Sequence, residues 1–288
     1  MIYPSNFEEK IGFTSIRNIL SEICLCALGQ QKIAEMKFSA SHKYIKQRMS
    51  ETMEFVQILK NEDFPEHNFI DMRAPLKRIC IENTYLEVNE LSDLQKSLSS
   101  IDLMISYFNR IDDKTETFKY PTLQSLTEHT HRFQHIVDAI ERILDKFGNI
   151  KDSASPELAR IRRELSHTAN GISRSLNSIL RQAQNDGLIE KDLSPTIRDG
   201  RLVLPVAPSL KRRIKGIIHD DSDTGKTVYI EPAEVVEANN KIRELEADER
   251  REIQRILLEI TNTIRPEVHE IQQNYEFLAE VDFTRAKA

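Results

Sequence analysis

The chain has 288 residues, of which 39% are apolar and 30% charged, with eight Gly, ten Pro and no Trp. That mixture excludes collagen-like, disordered and sandwich-type β chains and suits long solvated helices. The net charge of −6 taken alone argues against a nucleic-acid binder. No apolar run approaches the roughly 20 residues that cross a bilayer. The first residues lack the basic and apolar regions of a signal peptide. Cys24, Cys26 and Cys80 form no CxxC pair and read as free thiols of a cytoplasmic protein with no membrane partner.

From residue 5 to about 150 the sequence reads as helix after helix. Phe7, Ile11, Ile16, Ile19, Leu20, Ile23 and Cys24 form one apolar stripe at near-helical spacing. Tyr44, Ile45, Met49, Met53, Val56 and Leu59 form a second, and Leu91, Leu94, Leu98, Ile101 and Ile105 a third. Pro65, Pro75, Pro121 and Gly148 punctuate them. A helical core over 1–154 is expected. His131 and His135 stand four apart, a spacing that can hold a metal on one helix face. Without a third ligand nearby, a solvated helix face and no metal site are expected.

Residues 156–186 carry the sharpest helix signal: Ser155 as N-cap, Pro156 at the first helical position and Gly187 as a stop. Leu158, Ile161, Leu165, Thr168, Ile172, Ser175, Ile179 and Gln182 form a narrow seam like that of a coiled coil. At Gly187 the texture changes. Over 187–232 lie four of the eight Gly and four of the ten Pro, and β-branched residues alternate. Asp199-Gly200 signals a two-residue hairpin and Asp223-Thr224-Gly225 a second turn, so three or four antiparallel strands are expected.

Helix resumes at Pro232 and runs to about Ile264, where Pro266 breaks or kinks it. Its stripe (Val235, Ile242, Leu245, Ile253, Ile256, Leu257, Ile260) is as narrow as the earlier seam. Five basic and three acidic residues in 156–186 face five basic and eight acidic in 233–264, a balance that favours pairing. The economical arrangement is mainly α, with a long antiparallel helix pair carrying a small antiparallel β module at its tip. The helical pattern of Tyr275, Leu278, Val281, Asp282 and Ala286 stops uncapped, so a fragment of a longer chain is expected.

No catalytic site is legible. Asp220-Asp221-Ser222-Asp223-Thr224-Gly225-Lys226-Thr227 resembles a phosphate-binding P-loop, but Asp220 replaces its first glycine and three carboxylates crowd it. A strand also follows where a helix should begin, so a hairpin turn is the better reading. The charge pattern is more informative. Arg198, Arg201, Lys211, Arg212, Arg213, Lys215 and Lys226 give 195–232 a net charge of +2, leaving −8 for the rest. Such cations can neutralise phosphates; they can equally protect exposed strand edges from pairing.

Arg198-Asp199-Gly200-Arg201, Leu204-Pro205-Val206, Lys215-Gly216-Ile217-Ile218-His219-Asp220, Gly225-x-Thr227 and Glu231-Pro232, followed by Asn239-Asn240, closely resemble the MutS family. The similarity is to its second, MutS-like branch, whose members lack the mismatch-reading N-terminal domain and usually end in an Smr nuclease domain. Leu28-Gly29 with Met36 is a weaker echo. The resemblance implies a core at 1–154, an ascending lever helix at 155–190, a β clamp at 191–232, a descending lever at 233–265 and a return to the core at 266–288. An ATPase domain using ATP and Mg2+ would follow in the parent; this chain would hold no cofactor and no activity.

The resemblance further implies a homodimer gripping DNA by its backbone, in mismatch repair or in suppressing recombination on branched DNA. The family residues Asp199, Gly200, Pro205, Gly216, His219, Asp220, Gly225, Thr227, Glu231 and Pro232 mark the clamp, and the seven cations are its candidate DNA contacts. Two alternatives stand beside this expectation: a ribosome-associated factor that binds ribosomal RNA and splits collided ribosomes, and a coiled-coil dimerisation scaffold.

Overall fold

The computed structural model describes residues 6–185, 194–221 and 226–288. Gly187, Gly225 and the 223–225 turn lie outside them. The first helices are α1 (Phe7–Lys10), α2 (Phe13–Ile23), α3 (Ala27–Glu35), α4 (His42–Asn61), α5 (Arg73–Arg78) and α6 (Val88–Phe108). A hairpin of two-residue strands, β1 (Ile111–Asp112) and β2 (Thr117–Phe118), precedes α7 (Pro121–Gln124) and α8 (Gln134–Ile143). The long α9 (Pro156–Asn185) leads to β3 (Thr196–Arg198), β4 (Arg201–Val206), β5 (Gly216–Asp221) and β6 (Val228–Pro232). Helices α10 (Val236–Ile264) and α11 (Val268–Lys287) follow, separated by a 3-10 turn around Pro266. The fold is mainly α with small antiparallel sheets. Among the described residues, no helix is long and apolar enough to cross a membrane.

The chain divides into two compact units: residues 1–150 with 257–288, and residues 151–256. In the first, α6 buries its whole stripe from Leu91 to Ile105. Phe55, Phe64, Tyr107, Phe108 and Phe277 meet there ring edge to ring face and ring to ring. Helix α11 crosses this unit, and its buried Asp282 receives the backbone N–H groups of Leu25 (2.9 Å) and Cys26 (3.1 Å) at the start of α3. A carboxylate there satisfies orphan donors and complements the helix dipole.

The other two apolar stripes lie on helices, as their spacing requires, but much of each faces solvent. Ile16, Ile19 and Ile23 on α2, and Ile45, Met49 and Met53 on α4, are all exposed. The expected histidine pair is also corrected. Residues 131–133 are not helical, and α8 begins only at Gln134. The His131 backbone N–H donates to Asn274 (3.0 Å), whereas the His135 ring meets Glu267 (2.7 Å).

In the second unit, Ser155 caps α9: its hydroxyl accepts the Leu158 N–H (2.9 Å) and donates to Glu252 (2.6 Å). Glu252 lies on α10, and further up α9 Arg162 pairs with Glu249 (2.6 Å) and Glu164 with Lys241 (3.6 Å). As numbers rise on one helix they fall on the other, so the helices run antiparallel. Ser155→Ala is expected to cost about 1–2 kcal/mol in chemical denaturation, through the lost cap and the lost Glu252 partner.

The α9 seam departs from its sequence reading beyond Ile172. Leu176 and Leu180 are buried, Ser175 and Ile179 only half-buried, and Gln182 exposed. A straight helix drifts off a 3.5-residue repeat, and here the drift turns the two leucines onto Leu204, Val206, Val228 and Ile230 of the sheet. Pro232 ends β6 instead of opening a helix; a 3-10 turn, Ala233–Val235, intervenes before α10.

Candidate nucleic-acid interface

The second unit's sheet has the order β3-β4-β6-β5, antiparallel throughout. Asp199 (φ 48°) and Gly200 (φ 73°) form the two-residue turn between β3 and β4, both left-handed as a type I′ hairpin requires. Pro205 lies in β4 past the end of β3, where among the described residues only β6 pairs with the strand. At Gly216 a side chain would drive its Cβ to 2.1 Å from the Glu231 carbonyl oxygen, so only glycine lets β5 approach β6 there.

Glu231 is the node of this unit. Its side chain is fully buried and accepts from Arg201 Nη1 (2.7 and 2.9 Å), His219 Nε2 (2.6 Å) and Asn239 Nδ2 (2.8 Å). Strand β5 bulges between Ile218 and Asp220, and the extra residue is His219. Asn239, on the first turn of α10, also exchanges both amide bonds with the Leu202 backbone. Arg201 Nη2 adds a bond to Asn240 (2.7 Å). The family run is thereby explained in large part as one buried ionic lock joining β4, β5, β6 and α10.

Burial pushes the Glu231 carboxyl up, but the hydrogen bonds from His219, Asn239 and Arg201 outweigh it and hold it below the usual carboxylate range. The linkage sign follows. A depressed folded pKa contributes stability that is complete above the unfolded value of about 4.3 and is lost as pH falls through the lower folded one. The protection of the β4 and β6 amides against hydrogen exchange, taken relative to the intrinsic rate at each pH, should therefore fall progressively below about pH 4.

The seven candidate cations separate into groups. Arg201 is turned inward onto Glu231, its side chain 14% exposed, which sets it apart from the other six. Arg198 is exposed and stacks over Tyr229, 4.3 Å from the ring centroid, with Nη2 donating to the phenol oxygen (2.8 Å). Lys211, Arg212, Arg213 and Lys215 lie on the connection between β4 and β5, all exposed, and Lys226 is exposed before β6. Among the described residues these five have no carboxylate partner, whereas many cations elsewhere in the chain are paired. Tyr229 alternates with buried Val228 and Ile230, the period-2 signal in the sequence that its ring leaves the core face of β6.

The near-P-loop at 220–227 leads into strand β6, where phosphate binding requires a helix N-terminus. Among the described residues no cluster of three or more His, Cys, Asp or Glu could hold a metal.

No protein-family model matches the chain. Curated relatives do. It is 34% identical over 278 residues to a protein of Alkaliphilus oremlandii named Endonuclease MutS2, covering 96% of this chain and 35% of that protein. Proteins of the same name from Geobacillus sp. (32% over 279 residues) and Streptococcus pyogenes serotype M1 (31% over 280 residues) match over 96% and 97% of the chain. In each case the chain spans 35% of the relative's length. Over nearly all of its residues the chain thus matches proteins named Endonuclease MutS2 at 31–34% identity, as a part of a MutS-like protein of that branch would.

Proposed function

We propose that this chain is the backbone-gripping part of a MutS-like protein, and that it binds DNA through the connection between β4 and β5. One observation carries the reading: Lys211, Arg212, Arg213 and Lys215 are four exposed cations, without ion pairs among the described residues, on one short connection. Phosphate is the ligand such a cluster suits, because releasing condensed counterions from DNA drives the association. Backbone contacts position a protein without reading sequence. Arg198 and Lys226 extend the basic surface, while Arg201 acts through Glu231 as a positioning residue. The antiparallel α9 and α10 serve as levers. Dimerisation, action on branched or mismatched DNA, and an ATPase using ATP and Mg2+ belong to the parent protein in this proposal.

The test is the salt dependence of binding to a short duplex. Each phosphate contact contributes about −0.9 to the slope of log affinity against log salt. Replacing Arg212, Arg213 and Lys215 together by Ala should weaken binding and flatten the slope by roughly 2–3 units. A wild-type slope near zero would overturn the proposal.

A further inference from the structure

Helix α4 turns Met49 (63% exposed) and Met53 (59% exposed) away from the core of the first unit, with Tyr44 and Ile45 on the preceding turn. Beside them Met36 and Phe283 help to line an apolar cleft of about 410 Å3. A second cleft of about 390 Å3 opens against the same Met36 and Lys37. Scattered exposed apolar residues are ordinary, but contiguous patches of this kind mark interaction sites. Ile45, Met49 and Met53 recur every four residues, a row suited to packing beside a second helix.

The charges at the first cleft are one-sided. Its charged lining residues are Lys37, Arg48 and Lys287, with no carboxylate among them. Arg48 is satisfied by Glu51 (3.0 Å) and Glu280 (2.7 Å). Lys37 and Lys287 have no ion pair among the described residues; Lys287 instead sits 4.1 Å from the Phe283 ring centroid. Burial, reinforced by Arg48, brings the Lys287 ammonium down to about 8 against the pull of Glu51 and Glu280. An incoming carboxylate would relieve that cost.

We propose that the cleft receives an amphipathic helix whose apolar face covers Met49 and Met53 and whose carboxylates reach Lys37 and Lys287. The helix belongs to the part of the parent that its relatives possess beyond the 35% matched here. Charge complementarity and the length of that remaining chain support this occupant. Tethering also raises the local concentration of an intramolecular helix far above that of a free partner.

Methionine oxidation by hydrogen peroxide, read residue by residue in a mass spectrometer, tests the proposal. Two proteins are compared: the 288-residue chain and a chain extended to the full length of its relatives. Fully buried Met104 reports whether each stays folded. Met49 and Met53 should oxidise quickly in the short chain and about tenfold or more slowly in the long one. In the long chain, Lys37→Glu with Lys287→Glu should restore most of the fast rate while Met104 stays protected. Equal rates in the two proteins would overturn the proposal. So would protection that arises in the short chain with rising concentration, since a second copy would then be the occupant. Protection insensitive to the charge reversal would overturn the carboxylate pairing.

Discussion

Glu231→Ala should destabilise the 151–256 unit by about 3–5 kcal/mol, the cost of stripping the partner from a buried charge. Arg201 would be left with its guanidinium half-engaged on Asn240, and the His219 ring and Asn239 amide would lose their common acceptor. None of the three can reach water easily, because Asn239 is buried and the Arg201 and His219 side chains are only 14% and 18% exposed. Hydrogen exchange of the β4 and β6 amides, read separately from the 1–150 unit, isolates the effect. Lys226→Ala is the control and should stay within about 0.5 kcal/mol, because that side chain is exposed and unpaired among the described residues. A loss below about 1 kcal/mol for Glu231→Ala would show that the lock is not holding the sheet to α10.

The second large effect lies in the other unit. At Gly29 a Cβ would stand 2.3 Å from Asp282 Oδ2 and 2.7 Å from Cγ. Asp282 cannot swing aside cheaply, for it is fully buried and holds the N–H groups of Leu25 and Cys26. Gly29→Ala should therefore cost about 2–4 kcal/mol, combining overpacking with damage to the cap of α3. Thermal or chemical unfolding of the first unit measures it. Gly171→Ala is the contrast: its Cβ would meet nothing within 4 Å, so helix propensity alone should make it neutral to stabilising. Equal effects at the two glycines would contradict the close-approach account.

These two sites show why some of the molecule was legible in the sequence and some was not. Local chemistry was readable. The Ser155 cap acts within three residues, and Asp199-Gly200 encodes its own left-handed turn. The long helix pair followed from two narrow stripes with complementary charge, confirmed by Arg162–Glu249 and Lys241–Glu164. Arg201 is different. Its partner lies 30 residues away on β6, and nothing in the run Arg198–Val206 distinguishes a cation that turns inward from one that faces phosphate. The cap at α3 is still less legible, because its carboxylate comes from Asp282, 256 residues beyond Cys26.

The apolar stripes of α2 and α4 illustrate a second limit. Periodicity identifies a helix with an apolar face, but it does not say what covers that face. The stripe of α6 is covered by its own unit, whereas Met49 and Met53 are not. The same averaging affects charge. A net of −6 describes neither the acidic majority of the chain nor the five cations, unpaired among the described residues, that flank β5 in the chain.

The central claim is that phosphate is met by the connection between β4 and β5 while Arg201 holds the fold. Salt-dependent duplex binding of two variants, each checked for retained folding, tests it most directly. Arg212→Ala with Arg213→Ala and Lys215→Ala should flatten the slope by roughly 2–3 units without loss of stability. Arg201→Lys keeps the charge but loses the bidentate geometry, so it should lower stability and leave the slope within about half a unit of wild type. An unchanged slope in the triple variant, or a slope that falls with Arg201 alone, would contradict the account.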